Sequence, residues 1–176
     1  SGGIDSGITA VVAVDALGAD RVHCVMMPSP YTSRSSLDDA AAVATGLGVR
    51  LDTISIQPAM AAFDDMTKEI FVEHAHDTTE ENIQARSRGI TLMALSNKFG
   101  FMVLSTGNKS EMSVGYATLY GDMCGGFSVL KDVYKTDVYA LSRWRNEHRS
   151  EGGLGPGGPG GGGGIPEHVL TRPPSA

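Results

Sequence analysis

The stretch Ser1-Gly2-Gly3-Ile4-Asp5-Ser6 opens the chain and is followed at once by an apolar run at residues 8–14. Two adjacent glycines allow a tight turn and a close approach of the backbone to a ligand. The hydroxyls of Ser1 and Ser6, with the first N–H groups of the helix that follows, offer donors to an anion. The motif therefore predicts a phosphate cradle. The alternative is an ordinary helix start rich in serine and glycine, with Asp5 favoured by the helix dipole.

Beyond this loop, helical and strand periodicities alternate along the chain. Apolar residues three or four positions apart predict helices, and short apolar or alternating runs predict strands. The expected helices are residues 7–17, 37–47, 59–76, 80–99 and 134–148, with a short helix opening near 106–111. The expected strands are residues 21–27, 51–56 and 101–105, with a short edge strand at 165–170. Ser36 and Thr79 are predicted to cap the second and fourth helices. This alternation indicates an α/β fold with a parallel sheet.

The composition limits the class of protein and its partners. The chain has 176 residues, of which 41% are hydrophobic, and no apolar run is long enough to cross a bilayer. The net charge of −6 argues against nucleic acid as a partner and fits a ligand that brings its own cation. Cys24 and Cys124 are far apart and suggest neither a disulfide framework nor a zinc site. We expect a single soluble domain in the cytoplasm, with no nucleic-acid or membrane partner. The glycine-rich residues 151–164 predict a flexible segment.

The opening loop lacks the Lys-Ser/Thr pair of a Walker A loop and the G-x-G-x-x-G spacing. Its S-G-G-x-D-S pattern resembles the pyrophosphate loop of the N-type ATP pyrophosphatases. Further stretches are similar to one member of that group, the synthetase domain of glutamine-dependent NAD synthetase. They are MMPSPYTSRSS, TTEENIQARSRG, LSTGNKSEMSVGYATLYGDMCGGFSVLKDVYKTDVYAL and TRPPSA. The resemblance implies a Rossmann-like, three-layer fold with a central parallel sheet, of the adenine nucleotide alpha hydrolase-like type.

The resemblance also implies a reaction, the ATP-dependent amidation of nicotinic acid adenine dinucleotide to NAD. In this reaction the nicotinate carboxylate attacks the α-phosphorus of ATP, pyrophosphate leaves, and ammonia displaces AMP from the adenylate. ATP and Mg²⁺ are the implied cofactors. Ammonia is implied to come from solution or from glutamine, through a glutaminase domain of the same full-length chain. A homo-oligomer formed through this domain is the implied assembly.

Particular residues inherit roles from the resemblance. Asp5 and Glu111 are the implied Mg²⁺ ligands and, with Lys135 as a point charge for the β or γ phosphate, the implied catalytic residues. Asn82 and Asp122 are implied to face the dinucleotide. The implied ATP-binding residues are Ser1, Gly2, Gly3, Asp5, Ser6, Arg86, Thr106, Lys135 and Ser175. Without the resemblance, Asp5 and Glu111 would be interpreted as solvated acids near helix starts. Arg86 and Lys135 would be interpreted as side chains that face solvent.

Some features depart from the resemblance and leave alternatives open. Leu119 stands where ammonia-dependent relatives often carry a lysine, so a substrate contact there does not transfer. The glutaminase domain and the strand before Ser1 are missing, and the chain stops within P-P-S-A, so we expect a partial synthetase domain over residues 1–176. The alternatives are a GMP synthetase, a tRNA-modifying pyrophosphatase, or a nucleotide-binding module without chemistry. The acidic residues Asp5 and Glu111 and the positively charged Lys135 favour an enzyme.

Overall fold

The computed structural model describes residues 2–148 and 164–171. Their helices are α1 (Ile4–Leu17), α2 (Arg34–Leu47), α3 (Gln57–Phe71), α4 (Thr78–Phe99), α5 (Lys109–Val114), α6 (Lys135–Glu147) and α7 (Glu167–Thr171). Their strands are β1 (His23–Met26), β2 (Arg50–Thr53), β3 (Leu104–Ser105) and β4 (Phe127–Ser128). Helices and strands alternate along most of the chain, which makes this an α/β protein of Rossmann-like fold.

The strands pair in parallel, as the alternation with helices predicts. Strand β1 pairs with β2 in a register that runs from His23 opposite Arg50 to Met26 opposite Thr53. Strand β3 pairs with β4 through Leu104 opposite Phe127 and Ser105 opposite Ser128. Within the residues described, these are two separate two-stranded pairs rather than one continuous central sheet.

The core lies between α1, α2, α6 and α7. Helix α1 contributes the apolar face that the sequence predicts, and Ile165, Val169 and Leu170 from the last described segment pack in the same core. The buried members of this core are Ile4, Ile8, Val11, Val14, Val43, Leu47, Leu130, Val138, Ile165, Val169 and Leu170. Because α1 is anchored on its apolar face, the polar residues of its first turn are held in a fixed position beside α5 and α6.

Several predicted element ends are wrong by a few residues. The second helix begins at Arg34, because the hydroxyl of Ser33, not Ser36, accepts the capping hydrogen bond. The fourth helix is capped by Asp77 rather than Thr79. The third helix ends at Phe71, short of residue 76. At the starts of the second and fourth helices the sequence has several possible capping residues in a row. The backbone geometry decides which of them caps the helix.

Two predicted strands also need correction. Residues 165–170 were expected as an edge strand, but α7 occupies this region. Within α7 the adjacent side chains of Val169 and Leu170 are both buried, which does not fit the alternation of an edge strand with one exposed face. The third strand is limited to β3, and Phe101 and Met102 before it are exposed rather than buried.

None of the helices in the described ranges is long and apolar enough to cross a membrane. The expected flexible segment at residues 151–164 lies outside the described residues, apart from Gly164.

Candidate functional site

The glycine turn before α1 is held against the start of α2. Gly2 is buried, and a Cβ atom at this position would lie 2.2 Å from the carbonyl oxygen of Ser36. Only glycine allows this approach, so the turn is fixed by packing. Gly3 is the N-cap of α1 and no side chain caps the helix there. The first N–H groups of α1 are therefore left for solvent or a ligand.

Of the serines predicted to bind ATP, Ser6 lies within the described residues. The Ser6 hydroxyl donates to the carbonyl oxygen of Gly3 at 3.0 Å, so its proton is used within the first turn of α1. Ser1 and Ser175 lie outside the described residues. Thr106 is half-buried between β3 and α5, next to the Asn108 cap of α5.

Asp5 is the centre of the polar cluster. Its side chain is 17% exposed, and its two carboxylate oxygens contact different elements. Oδ1 accepts a hydrogen bond from Nδ2 of Asn108 at 2.9 Å. Oδ2 forms an ion pair with Nζ of Lys135. The structure thus brings together Asp5 and Lys135, two of the three predicted catalytic residues, although they are 130 positions apart in the chain.

Glu111, the third predicted catalytic residue, is joined to the same cluster through Asn108. Asn108 is the N-cap of α5, and Oδ1 of its side chain accepts from the N–H of Glu111 at 3.0 Å. The Asn108 N–H donates in return to Oε2 of Glu111 at 3.1 Å. This reciprocal capping box satisfies two helix-terminal donors and holds the Glu111 carboxylate at the start of α5.

The start of α6 is fixed to α5, which explains where the Lys135 side chain lies. The N–H of Lys135 donates to the hydroxyl of Ser110 at 3.0 Å, and the N–H of Lys109 donates to the carbonyl oxygen of Val133 at 2.9 Å. The ammonium of Lys109 also lies 4.7 Å from the centre of the Tyr134 ring. These contacts hold the backbone of Lys135 beside α5 and leave its side chain to reach Asp5.

The first turns of α1, α5 and α6 therefore meet around one carboxylate. The N-terminal end of a helix carries partial positive charge, and Lys135 adds a full charge, so the cluster favours an anion such as a phosphate. Asp5 and Glu111 supply the opposite charge. The arrangement suits a ligand that combines phosphates with a cation.

The donor chemistry fits a magnesium–nucleotide complex. Mg²⁺ prefers oxygen ligands, and each Asp5 oxygen keeps a lone pair after bonding to Asn108 or Lys135. Across residues 2–148 and 164–171, no group of three or more His, Cys, Asp and Glu side chains is arranged to hold a metal ion. An ion at Asp5 and Glu111 therefore needs further oxygens from its ligand, as it would obtain from phosphates.

The predicted substrate residues form a second cluster between α4 and the loop that follows α5. Thr118 joins them: its hydroxyl donates to Oδ1 of Asn82 at 2.9 Å, and its N–H donates to Oδ1 of Asp122 at 2.8 Å. Arg86 also binds this loop, through a 3.2 Å hydrogen bond from Nε to the carbonyl oxygen of Leu119. Arg86, Asn82 and Asp122 are thus together, and within the described residues no hydrogen bond or ion pair connects them directly to Asp5.

The loop lies unusually close to α4, and small residues permit this. A Cβ atom at Gly89 would lie 2.8 Å from the carbonyl oxygen of Tyr120 and 3.0 Å from Sγ of Cys124. Tyr120 has φ of 62°, a left-handed conformation that is uncommon outside glycine. An open groove of about 390 Å³ runs beside this contact, lined mainly by Ile90, Met93 and Tyr120.

Helix α4 also carries buried polar atoms that the sequence did not single out. Arg88 donates from Nε to the carbonyl oxygen of Met27 at 3.2 Å, and burial lowers the pKa of its guanidinium. Ser87 Oγ, next to Arg88 in sequence, and Gln84 Oε1, one turn before it, are buried without a hydrogen-bond partner in the described part of the chain. Buried polar atoms ordinarily find partners, so these two are available to a ligand or to water.

Sequence reasoning missed Asn108, the residue that joins the predicted acids. A signal was present, since Asn-Lys-Ser-Glu at residues 108–111 has the spacing of a capping box. That spacing predicts the contact with Glu111. It contains no information about the contact with Asp5, which is 103 positions away.

The fold and this cluster define a class, an α/β protein of Rossmann-like fold with an acidic and basic site at the start of its first helix. The chain belongs to the NAD synthase family, whose sequence model matches residues 1–176. The glutamine-dependent NAD(+) synthetase of Rhodobacter capsulatus is 54% identical over 176 residues, which is all of this chain and 31% of the relative.

Two solved structures are similar to this chain in fold. The glutamine-dependent NAD⁺ synthetase of Acinetobacter baumannii, in complex with ADP, superposes with a TM-score of 0.88 at 53% identity and covers 97% of this chain. The NMN synthetase of Francisella tularensis superposes with a TM-score of 0.81 at 28% identity and covers 99% of this chain. This chain covers 30% and 63% of those two chains, respectively. It therefore spans about a third of the length of the glutamine-dependent relatives it matches.

Proposed function

We propose that this chain carries the synthetase site of a glutamine-dependent NAD synthetase, which converts nicotinic acid adenine dinucleotide to NAD with ATP and ammonia. The observation that carries the proposal is the meeting of Asp5, Lys135 and the Asn108–Glu111 pair at the first turns of three helices. The family match and the ADP in the Acinetobacter baumannii structure support ATP as the nucleotide.

The first step forms an acyl adenylate. The carboxylate of the nicotinate attacks the α-phosphorus of ATP, and the bond to the bridging oxygen of pyrophosphate breaks. Negative charge then grows on the leaving group and must be neutralised in place. The N–H groups of Ile4 and Asp5 at the start of α1 donate to phosphate oxygens. Lys135 has three N–H donors, so its contact with Asp5 leaves others for pyrophosphate.

Asp5 and Glu111 are the residues that would hold Mg²⁺. When bound, the ion supplies charge neutralisation for the phosphate oxygens of the nucleotide. Asn108 and Lys135 hold the Asp5 carboxylate from its two sides, so its orientation is set before a ligand arrives. Such preorganisation removes a reorganisation cost from the reaction.

The second step consumes the adenylate. Neutral ammonia attacks the acyl carbon, AMP leaves, and one proton is released. We propose that Asn82, Asp122 and Arg86, which lie around the Thr118 loop, bind the dinucleotide and the ATP ribose or phosphates beside it. The conformation of this loop is tied to α4 by the same residues, so ligand binding and loop position are coupled.

We further propose that the chain works as part of a longer protein with a glutaminase domain, since it covers 31% of a relative named for glutamine dependence. Exposed apolar side chains support self-association through α3 and α4. They include Met66 (72% exposed), Ile70 (73%) and Ile90 (62%), which favour an interface over solvent. A cytoplasmic location stays a prediction from the composition.

The decisive experiment measures NAD formation and pyrophosphate release by the full-length protein that contains this chain. The assay supplies ATP, Mg²⁺, ammonium and nicotinic acid adenine dinucleotide. We expect pyrophosphate, AMP and NAD in equal amounts. Parallel reactions replace the dinucleotide by nicotinic acid mononucleotide or omit the acceptor. Pyrophosphate release that ignores the acceptor, or ATP binding without release, would contradict the proposal and favour another nucleotide-binding function.

A further inference from the structure

Asn108 uses both the oxygen and the nitrogen of its side-chain amide, toward two different residues. It is fully buried, its oxygen accepts from the N–H of Glu111, and its nitrogen donates to Oδ1 of Asp5. Its own N–H donates to Oε2 of Glu111. One residue therefore contacts both acids of the cluster, one of them across 103 positions of sequence.

An amide is the side chain that this position needs. A carboxylate of the same shape can cap α5 but cannot donate to Asp5 when ionised, and it adds a negative charge beside an acid. A serine can also cap α5, but its hydroxyl is too short to replace the bond to Asp5. Capping alone therefore does not require asparagine here, whereas the contact with Asp5 does.

The contact restricts Asp5. With Oδ1 bound by Asn108 and Oδ2 by Lys135, rotation of the carboxylate about its terminal torsion is blocked from both sides. Because Asn108 also holds the Glu111 carboxylate, it fixes the two acids relative to each other. Removing the Asn108 donor frees Asp5 to turn toward Lys135 alone.

We propose that Asn108 is a positioning residue that orients Asp5 and Glu111 as a pair for a divalent cation on the nucleotide. The proposal rests on the proposed function, because it assigns the two acids to that ion. Asn108 itself does not touch the reacting atoms. Its effect is on the affinity and placement of the cation rather than on nucleotide recognition.

The test compares Asn108→Ser and Asn108→Asp with a matched cap variant, Asp77→Ser, at the other capping box, on α4. The probe is Mn²⁺, whose free concentration is followed by electron paramagnetic resonance in the presence of ADP, on the chain and on the full-length protein. Mn²⁺ affinity should fall about fivefold or more in Asn108→Ser and stay within about twofold in Asp77→Ser. Circular dichroism and thermal unfolding establish that each variant is folded.

A second readout separates positioning from general damage. In Asn108→Ser, the Mg²⁺ concentration for half-maximal pyrophosphate release should rise by a similar factor, while the KM for ATP at saturating Mg²⁺ changes less than about twofold. In Asn108→Asp, the ionised side chain still caps α5 but cannot donate to Asp5, so the Mg²⁺ concentration for half-maximal pyrophosphate release should rise in this variant as well. A purely structural role predicts that the KM for ATP changes together with the Mg²⁺ requirement.

The outcomes distinguish this proposal from the proposed function. If the protein makes no NAD but Asn108→Ser still weakens Mn²⁺ binding, the function is wrong and the positioning role stands. If NAD is made and both Asn108 variants keep the original cation dependence, the positioning role is overturned. Should Asn108→Ser fail to fold, the Mg²⁺ requirement of Asn108→Asp decides the question.

Discussion

Arg145 on α6 donates two hydrogen bonds to the carboxylate of Asp15 on α1, at 2.6 Å from Nε to Oδ2 and 2.7 Å from Nη2 to Oδ1. The hydrogen bond to Asp15 raises the pKa of Arg145, so its guanidinium is protonated at any working pH. Both side chains are mostly buried, with 21% and 23% exposed. The pair connects α1 and α6, two of the three helices whose first turns form the site.

We expect Asp15→Asn and Arg145→Gln each to lower the free energy of unfolding by about 1–3 kcal/mol, between an exposed and a fully buried pair. The double variant should lose less than the sum, because either change alone already breaks the pair. Urea unfolding checks this. The control is Asp38→Asn, whose pair with Arg34 is 64% and 87% exposed and should matter by about 0.5 kcal/mol or less. Equal losses at both sites would show that the α1–α6 pair adds no stability.

Two glycine-to-alanine substitutions should have opposite effects on stability, because Gly89 faces a closely packed loop and Gly46 faces open space. Gly89→Ala places a Cβ 2.8 Å from the Tyr120 carbonyl oxygen, so the loop must move, at a cost of about 1–3 kcal/mol. Gly46→Ala on α2 meets nothing within 4 Å and should gain up to about 1 kcal/mol. Since the loop carries Asp122, Gly89→Ala should also raise the KM for the dinucleotide more than the KM for ATP. Unchanged stability and KM in Gly89→Ala would mean that the loop is not held at this distance.

The shared-ion hypothesis for Asp5 and Glu111 predicts non-additive losses. Asp5→Asn and Glu111→Gln should each slow adenylation by roughly 100-fold or more, which corresponds to about 2.7 kcal/mol. The double variant should be little slower than either single variant, because removal of one ligand already disables the ion. Single-turnover pyrophosphate release in the full-length protein measures this. Losses that multiply would separate the acids into independent roles.

Lys135 should act on the leaving group more than on nucleotide affinity. We expect Lys135→Ala to lower kcat for pyrophosphate release by about 100-fold with only a small rise in the KM for ATP, since the contact strengthens as charge develops. Lys109→Ala is a useful comparison, because that ammonium lies over the Tyr134 ring instead of against Asp5. An increase in KM at constant kcat would make Lys135 a binding residue only.

The Asp77 cap of α4 predicts a pH-dependent stability. Its pKa is lowered from 3.8, first by the hydrogen bond from Thr79, so ionised Asp77 stabilises the fold. A lowered pKa of this kind contributes stability above pH 3.8 that is lost as pH falls through the folded-state pKa. Asp77→Asn keeps a capping side chain without titrating. Its stability deficit relative to the unchanged protein should therefore shrink between pH 6 and about pH 3, whereas the difference caused by Ser33→Asn at the α2 cap should be constant with pH. A deficit independent of pH would contradict the role of the charge.

The parts of this structure that depend on local pattern were predictable. Helices α1, α2, α4 and α6 follow from local sequence pattern. The starts of α2 and α4 were missed where several capping residues compete, and α1 begins at Ile4 rather than residue 7. The resemblance to the NAD synthetase family implied one site for Asp5, Glu111 and Lys135. What sequence spacing does not contain is the side-chain geometry between distant segments. The contact of Asn108 with Asp5, and the tie of Asn82 and Asp122 through Thr118, depend on the tertiary arrangement of the helices.

The short helix α7 illustrates the opposite limit. Its residues gave an ambiguous apolar pattern over a few positions, and such short runs fit a strand or a helix equally well. Tertiary contacts decide the outcome: Asn146 bonds the backbone of Ile165 on both sides, at 2.8 and 3.4 Å, and His168 pairs with the buried Asp39. These partners come from α6 and α2, which the local sequence does not reveal.

The packing of α7 on α1 has a consequence for how the protein is made. Ile165, from the far end of the chain, lies in the same core as Ile4 and Ile8, and a Cβ on Gly7 would lie 3.6 Å from its side chain. Contacts between such distant segments require closure of a very long loop, and proteins rich in them fold slowly. During synthesis α1 leaves the ribosome well before α7, yet its core is completed only when α7, the last described helix, arrives. While residues 18–164 are being made, the apolar face of α1 is therefore incompletely covered, and chaperone binding or aggregation at that stage competes with folding.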